Sequence, residues 1–153
     1  MKTKVTTEKI LSVYNILKGA SYQKMSDDDK IKLWKIARTM KPIATKFEDD
    51  SKDAAEKLKP EGLEATLEKA KEYEQKRQKG DTDLPMTEAE YLGFINGDWA
   101  KFNNLLTKAV KEFADAEVEL EFEPLNEESF SKLIASNDWK MEQVMIVSEV
   151  IVA

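Results

Sequence analysis

Apolar side chains recur at helical spacing along most of the chain. Ile10, Leu11, Tyr14 and Leu17 form one stripe behind Thr6, whose hydroxyl can cap a first turn, and Gly19 supplies a stop, so a helix is predicted over about 6–18. Ser26-Asp27-Asp28-Asp29 reads as a second start, because a serine oxygen accepts an orphan amide proton and the acids suit the positive end of a helix. From Leu33 the positions Ala37, Met40, Ala44, Phe47, Ser51, Ala54 with Ala55, and Leu58 advance in steps of 4 and 3 straight through Pro42. One helix over about 28–58 is therefore predicted, with Pro42 kinking it at a cost of roughly 3 kcal/mol that packing must offset. Such a helix is about 45 Å long, against a diameter of roughly 40 Å for a compact chain of this length, so an elongated molecule is expected.

Pro60-Glu61-Gly62 breaks that helix, and Leu63, Leu67, Ala70, Tyr73 and Arg77 mark a third, ending at Gly80; together they predict a helical hairpin over about 28–80. Thr87-Glu88-Ala89-Glu90 is a capping box for a short helix to about Asn96-Gly97, and Asp98 is read as the cap of the next. That next helix, about 99–114, carries Trp99, Phe102, Leu105, Leu106, Ala109, Val110 and Phe113, the densest apolar stripe of large residues, and the core centre is expected there.

The period then changes to 2. Glu117 to Glu123 alternates Val118, Leu120 and Phe122 with four glutamates, which predicts a strand. A lone strand needs a partner, and Met1 to Val5 has the matching alternation. Pairing them would set Lys2 and Lys4 against the glutamates, each favourable pair worth roughly 0.2–1 kcal/mol. After Pro124, Asn126 can cap a short helix through Phe130, Leu133 and Ile134, and Asp138 another beginning at Trp139. The composition of the last run, Val144 to Val152, favours a strand, whereas Met141, Val144, Ser148 and Ile151 fit a helical stripe; the helix is preferred. The reading is thus a single α+β domain over 1–153, predominantly α, with an elongated helical hairpin, a small two-stranded β element and short C-terminal helices.

Composition narrows the chemistry. With 153 residues, no His and no Cys, disulfides, thiolate metal sites and imidazole-based nucleophile systems are excluded. The five glycines, at 19, 62, 80, 93 and 97, write neither a phosphate-binding loop nor a dinucleotide fingerprint. The acidic clusters Glu48-Asp49-Asp50 with Asp53, and Glu117 to Glu123, are read as solvated faces rather than metal sites. No catalytic, cofactor-binding or metal-ligating residue is assigned, no cofactor is expected, and the chain is expected not to be an enzyme. No run of about 18 apolar residues or signal-like segment occurs, so a cytoplasmic location without membrane contact is expected.

Charge is divided unevenly: residues 1–80 carry 19 basic and 14 acidic side chains, residues 81–153 carry 5 and 16, for a total of −6. One reading is a basic segment packed beside an acidic one in the same fold. The other is a polar surface docking on copies of itself or on another component. Lys30, Lys32, Lys35, Arg38 and Lys41 beside Trp34 suggest nucleic-acid binding, as residues 1–41 hold 10 basic against 4 acidic side chains. Three features weigh against it: these cations spread round the helix, Trp34 is read as part of the core stripe, and the whole chain is acidic.

Lys2 to Ile10 through Tyr14-Asn15-Ile16-Leu17, the long charged helix ending Ala55-Glu56-Lys57-Leu58, and the acidic strand Glu117-Val118-Glu119-Leu120 followed by Leu-containing short helices carry a resemblance. In this pattern of elements the chain resembles a family of small uncharacterised proteins encoded among the structural genes of tailed phages and prophages. The resemblance implies a non-enzymatic structural or assembly accessory role through protein–protein contacts, in the cytoplasm of a bacterial host or in the virion, and it brings no site residues. The expected partners are proteins, including further copies of the chain, through an apolar surface formed by Val144, Met145, Ile146, Val147, Val150 and Ile151. The alternative is a small regulatory or host-takeover protein that binds nucleic acid through residues 1–41.

Overall fold

A computed structural model describes all 153 residues. Its elements are β1 (Lys2–Thr6), α1 (Thr7–Lys18), α2 (Asp27–Leu58), α3 (Leu63–Gln78), α4 (Glu88–Phe94), a π turn (Ile95–Trp99), α5 (Ala100–Asp115), β2 (Glu117–Glu121), α6 (Glu127–Ala135) and α7 (Met141–Ile151). The protein is predominantly α with one small antiparallel sheet. It gathers into two compact units, Met1–Asp50 with Glu112–Ala153, and Ser51–Lys111.

In the first unit β1 pairs antiparallel with β2, Lys2 opposite Glu121, Lys4 opposite Glu119 and Val5 opposite Val118. The alternation of both segments makes this register the one that turns every apolar residue inward and sets lysine against glutamate outside. The amino terminus adds a bond to the Phe122 carbonyl at 3.0 Å. Thr6 then caps α1 by accepting from the Lys9 amide, and Ile10, Val13 and Leu17 of that helix are buried. Ser26 accepts from the Asp29 amide at 3.2 Å and starts α2 as expected.

Leu33, Ile36 and Met40 of α2 meet Leu120, Leu125, Leu133 and the α7 residues Val147, Val150 and Ile151 in one cluster. Here lies the larger core, and α5 is not its centre. Of the α5 stripe only Phe102 is buried, and Leu105 stays 43% exposed. A strong apolar stripe measures how one-sided a helix is, not how much other structure stands over it. α7, by contrast, buries Val147, Val150 and Ile151 in the larger core while Met141 and Met145 stay exposed. The chain end is fastened as well, the Leu125 amide donating to the Ile151 carbonyl at 2.9 Å and the Ala153 amide to the Leu125 carbonyl at 3.1 Å.

Pro42 sits within α2, which is continuous over 32 residues. Pro42 is exposed, so the carbonyl its ring leaves unpaired can turn to water.

The second unit is built on a smaller cluster of Leu63, Ala70, Phe94 and Phe102, with Ala55, Leu58 and Trp99 packed against it. Tyr73 and Tyr91 stack at 4.6 Å between ring centroids. Gly80 takes the left-handed conformation that ends α3, and the Asp81 amide closes back on the Lys76 carbonyl at 3.0 Å. The Thr87 capping box is present. Asp98, however, caps nothing: the chain stays helical from α4 into α5 through the π turn. In an α-helix residues 94 and 99 would point about 140° apart, and the wider π turn swings Trp99 back toward Phe94, 6.5 Å away, and Phe102, 6.0 Å away.

Candidate functional site

The surface expected at the C-terminal run is largely absent as a surface. Val147, Val150 and Ile151 are at most 1% exposed and form the floor of the larger core, Val144 and Ile146 are half-buried against it, and Met145 alone of the six stands out, at 57%. The run is helical rather than extended, so its apolar residues are distributed round α7, and α1 lies beside it. Lys9 Nζ meets Glu149 Oε2 at 2.7 Å near the start of α1, and Ser21 meets Asn137 just beyond its end, so the two helices run antiparallel.

A cluster of exposed apolar side chains around a hollow lies elsewhere. Tyr22, Ile31 and Trp34 are 51%, 51% and 57% exposed, and with Leu17, Leu33 and Ala37 they line a groove of about 370 Å³ between the end of α1 and the start of α2. The reading of Trp34 as a core residue is thus corrected. Leu33 and Ile36 take the inward face of α2, and a residue next to Leu33 is turned about 100° away from it. Arg38 lies one turn on with its guanidinium 5.2 Å from the indole centroid, a cation–π contact that holds the ring along the helix. Sequence reasoning missed the groove because two overlapping stripes run along α2, and the apolar-plus-basic one through Ile31, Trp34, Arg38 and Lys41 was the signal available.

The loop carrying Tyr22 is held from below. Asn137 accepts from the Ser21 amide at 2.7 Å, donates to the Ser21 carbonyl at 2.6 Å and to the Leu133 carbonyl at 2.9 Å. The Lys24 amide donates to Ser136 Oγ at 3.1 Å, and Met25 is buried as an anchor. These bonds give the groove a wall built before any partner arrives.

Part of the charge asymmetry is settled inside the first unit. Lys2 pairs with Glu119 at 3.8 Å, Lys9 with Glu149 at 2.7 Å and Lys32 with Glu123 at 3.3 Å, each a basic residue of the N-terminal segment meeting an acid of the C-terminal one. Lys18, Lys35, Arg38 and Lys41 have no ion-pair partner within the chain. Unmatched cations thus stand beside the groove, as they do elsewhere on the chain at Lys4, Lys24 and Lys132.

The acidic clusters are dispersed. Asp50 pairs with Lys46 at 2.7 Å and Asp53 with Lys57 at 2.9 Å, and no group of three or more acidic side chains comes together that could hold a metal ion. Resolved pKa shifts fall on surface pairs of the second unit: hydrogen bonds raise Lys57 through Asp53, Lys59 through Glu64 and Lys76 through Glu72, and lower Glu64 through Lys59. No helix is long and apolar enough to cross a membrane. No family model, curated protein or solved structure matches the chain.

Proposed function

We propose that the protein is a non-enzymatic assembly accessory that binds another protein through the groove at Tyr22, Ile31 and Trp34, in the setting of a tailed phage or prophage and within its bacterial host or virion. The observation that carries this reading is the exposure of three large apolar side chains around one preformed hollow. Leaving them in water forfeits roughly 25 cal/mol for each Å² of apolar surface that a partner would cover. The setting rests on the resemblance in element pattern alone. Self-association through Val144 to Ile151 loses its support, since most of that run is spent on the chain's own core.

A second reading, nucleic-acid binding through residues 1–41, is favoured by one observation: an exposed indole flanked by Arg38 and by unpaired lysines resembles the stacking platforms that hold single strands. Against it stand the net charge of −6 and the engagement of Lys30 by Asp27 and of Lys32 by Glu123. A photoreactive phenylalanine analogue at position 31 separates the two. Cross-linking in the cells that naturally make the protein should give one discrete protein adduct, abolished by Trp34→Ala. A nuclease-sensitive adduct would promote the second reading.

A further inference from the structure

We infer that the groove receives an amphipathic α-helix with acidic flanks, supplied by a different protein. This rests on the proposed reading of the groove as a binding surface and names its occupant. A second hollow of about 310 Å³ lies further along the same α1–α2 seam, lined by Tyr14 and Lys18 of α1 and by Lys41, Ala44 and Glu48 of α2. α2 contributes ten residues to the two hollows; with 31, 33, 45 and 47 to either side, 30, 34, 37, 41, 44 and 48 advance in steps of 4 and 3. They form one straight stripe on one helix face, about 27 Å long.

A trough of that length suits a helix of about 18 residues. An extended peptide fits it badly, because both walls are helices whose backbone groups are already paired, and its own amides and carbonyls would find no ladder to join. A helix arrives with its backbone satisfied. The floor is graded to match: Trp34 and Ile31 offer a broad apolar contact at one end, and Ala37 and Ala44 permit close approach farther along.

Charge complementarity fixes the flanks. Lys30 already meets Asp27, but Lys18 and Lys41 border the trough without an ion-pair partner, against one acid, Glu48, although the chain as a whole is acidic. An occupant bearing glutamates or aspartates beside its apolar stripe would neutralise them. A second copy offers no such helix: the apolar faces of α6 and α7 are buried in the core, the partly exposed stripe of α5 around Leu105 carries Lys101, Lys108 and Lys111 against Glu112 and Asp115, and Glu119, Glu123 and Glu149 already meet lysines of their own chain.

The test is calorimetric titration of the full chain with an 18-residue peptide carrying leucines at alternating steps of 3 and 4 and glutamates elsewhere. Its lysine-for-glutamate counterpart and a version with a central proline serve as comparisons. Only the acidic helical peptide should bind, at least tenfold more weakly to Trp34→Ala, and Lys18→Glu with Lys41→Glu should reverse the preference while circular dichroism stays unchanged. Equal binding of both charge types, or binding of neither, overturns the inference. So does self-association that Trp34→Ala disperses, or binding of a single-stranded oligonucleotide that the paired charge reversal abolishes. A protein adduct from position 31 without peptide binding discards the acidic helix but keeps the groove; failure of both discards the groove.

Discussion

Asn137 grips Ser21 from both sides, accepting from its amide at 2.7 Å and donating to its carbonyl at 2.6 Å. One side chain at the C-terminal end of α6 thereby does for the loop after α1 what a short piece of sheet would do. It fixes the backbone next to Tyr22 and so the shape of the groove. Asn137→Ala leaves the Ser21 pair to find water and should cost about 1–3 kcal/mol in urea denaturation. It should also weaken any groove ligand more than a surface substitution of similar size does. Unchanged stability together with unchanged affinity would show that the loop holds its place without the clamp.

Ile151 and Met145 lie about 120° apart round α7, one fully buried and the other more than half exposed. Ile151→Asp should therefore unfold the first unit, with a loss above about 4 kcal/mol, because a carboxylate in that core has no partner. Met145→Asp should stay within about 0.5 kcal/mol of the wild type. Thermal melts of both variants check this, and a well-folded Ile151→Asp that merely changes oligomeric state would restore the C-terminal run as an interface.

Ser51 Oγ is buried without a hydrogen-bond partner, in a stripe otherwise apolar. Ser51→Ala removes that unsatisfied hydroxyl and improves helix propensity, so it should stabilise by about 1 kcal/mol, the opposite sign to most substitutions. A loss of stability in chemical denaturation would mean that the hydroxyl has a bonding role.

Removing residues 1–5 deletes β1, takes away the lysines facing Glu119 and Glu121, and uncovers Leu120, which is 1% exposed in the intact fold. The truncated chain should melt clearly below the full one and bind a hydrophobic dye. Equal melting temperatures would count against the strand pair as a structural necessity.

The Lys59–Glu64 pair gives a pH dependence of defined sign. Their hydrogen bond holds the carboxyl below its ordinary 4.5 and the ammonium above its ordinary 10.5. The pair's contribution is full above the unfolded carboxyl value and is lost as pH falls through the lowered folded one. It is also full below the unfolded ammonium value and is lost as pH rises through the raised folded one. Lys59→Met should lower the urea midpoint slightly near neutrality, since the pair is solvated, and the gap to wild type should close as pH falls below the ordinary carboxyl value and as it rises above the ordinary ammonium value. A gap of constant size across that range would assign the effect to packing.

The fold was legible where period and caps agree. Thr6, Ser26, Thr87 and Asn126 each sit at a helix start that the sequence marks, and the alternation of 1–5 and 117–123 is enough to pair the strands. Three features were not legible, for different reasons. The π turn at 95–99 turns on packing of Trp99 against Phe94 and Phe102, which a local reading of Asp98 as a cap does not contain. Whether a Val/Ile-rich helix such as α7 is surface or floor depends on what else covers it. The outward turn of Trp34 was hidden because Leu33 and Trp34 both fit a spacing of 3 and 4, and only the rest of the core decides which points in.

Oxidative footprinting of the chain in the cells that naturally make it, compared with the purified protein, separates a partner at the proposed groove from one at α7. Tyr22 and Trp34 on the groove and Met141 and Met145 on α7, 72% and 57% exposed, are all oxidisable side chains open to solvent. A partner in the groove should protect Tyr22 and Trp34 in cells, with both methionines labelled as in the purified protein. Protection of Met141 and Met145 with Tyr22 and Trp34 fully labelled would contradict it.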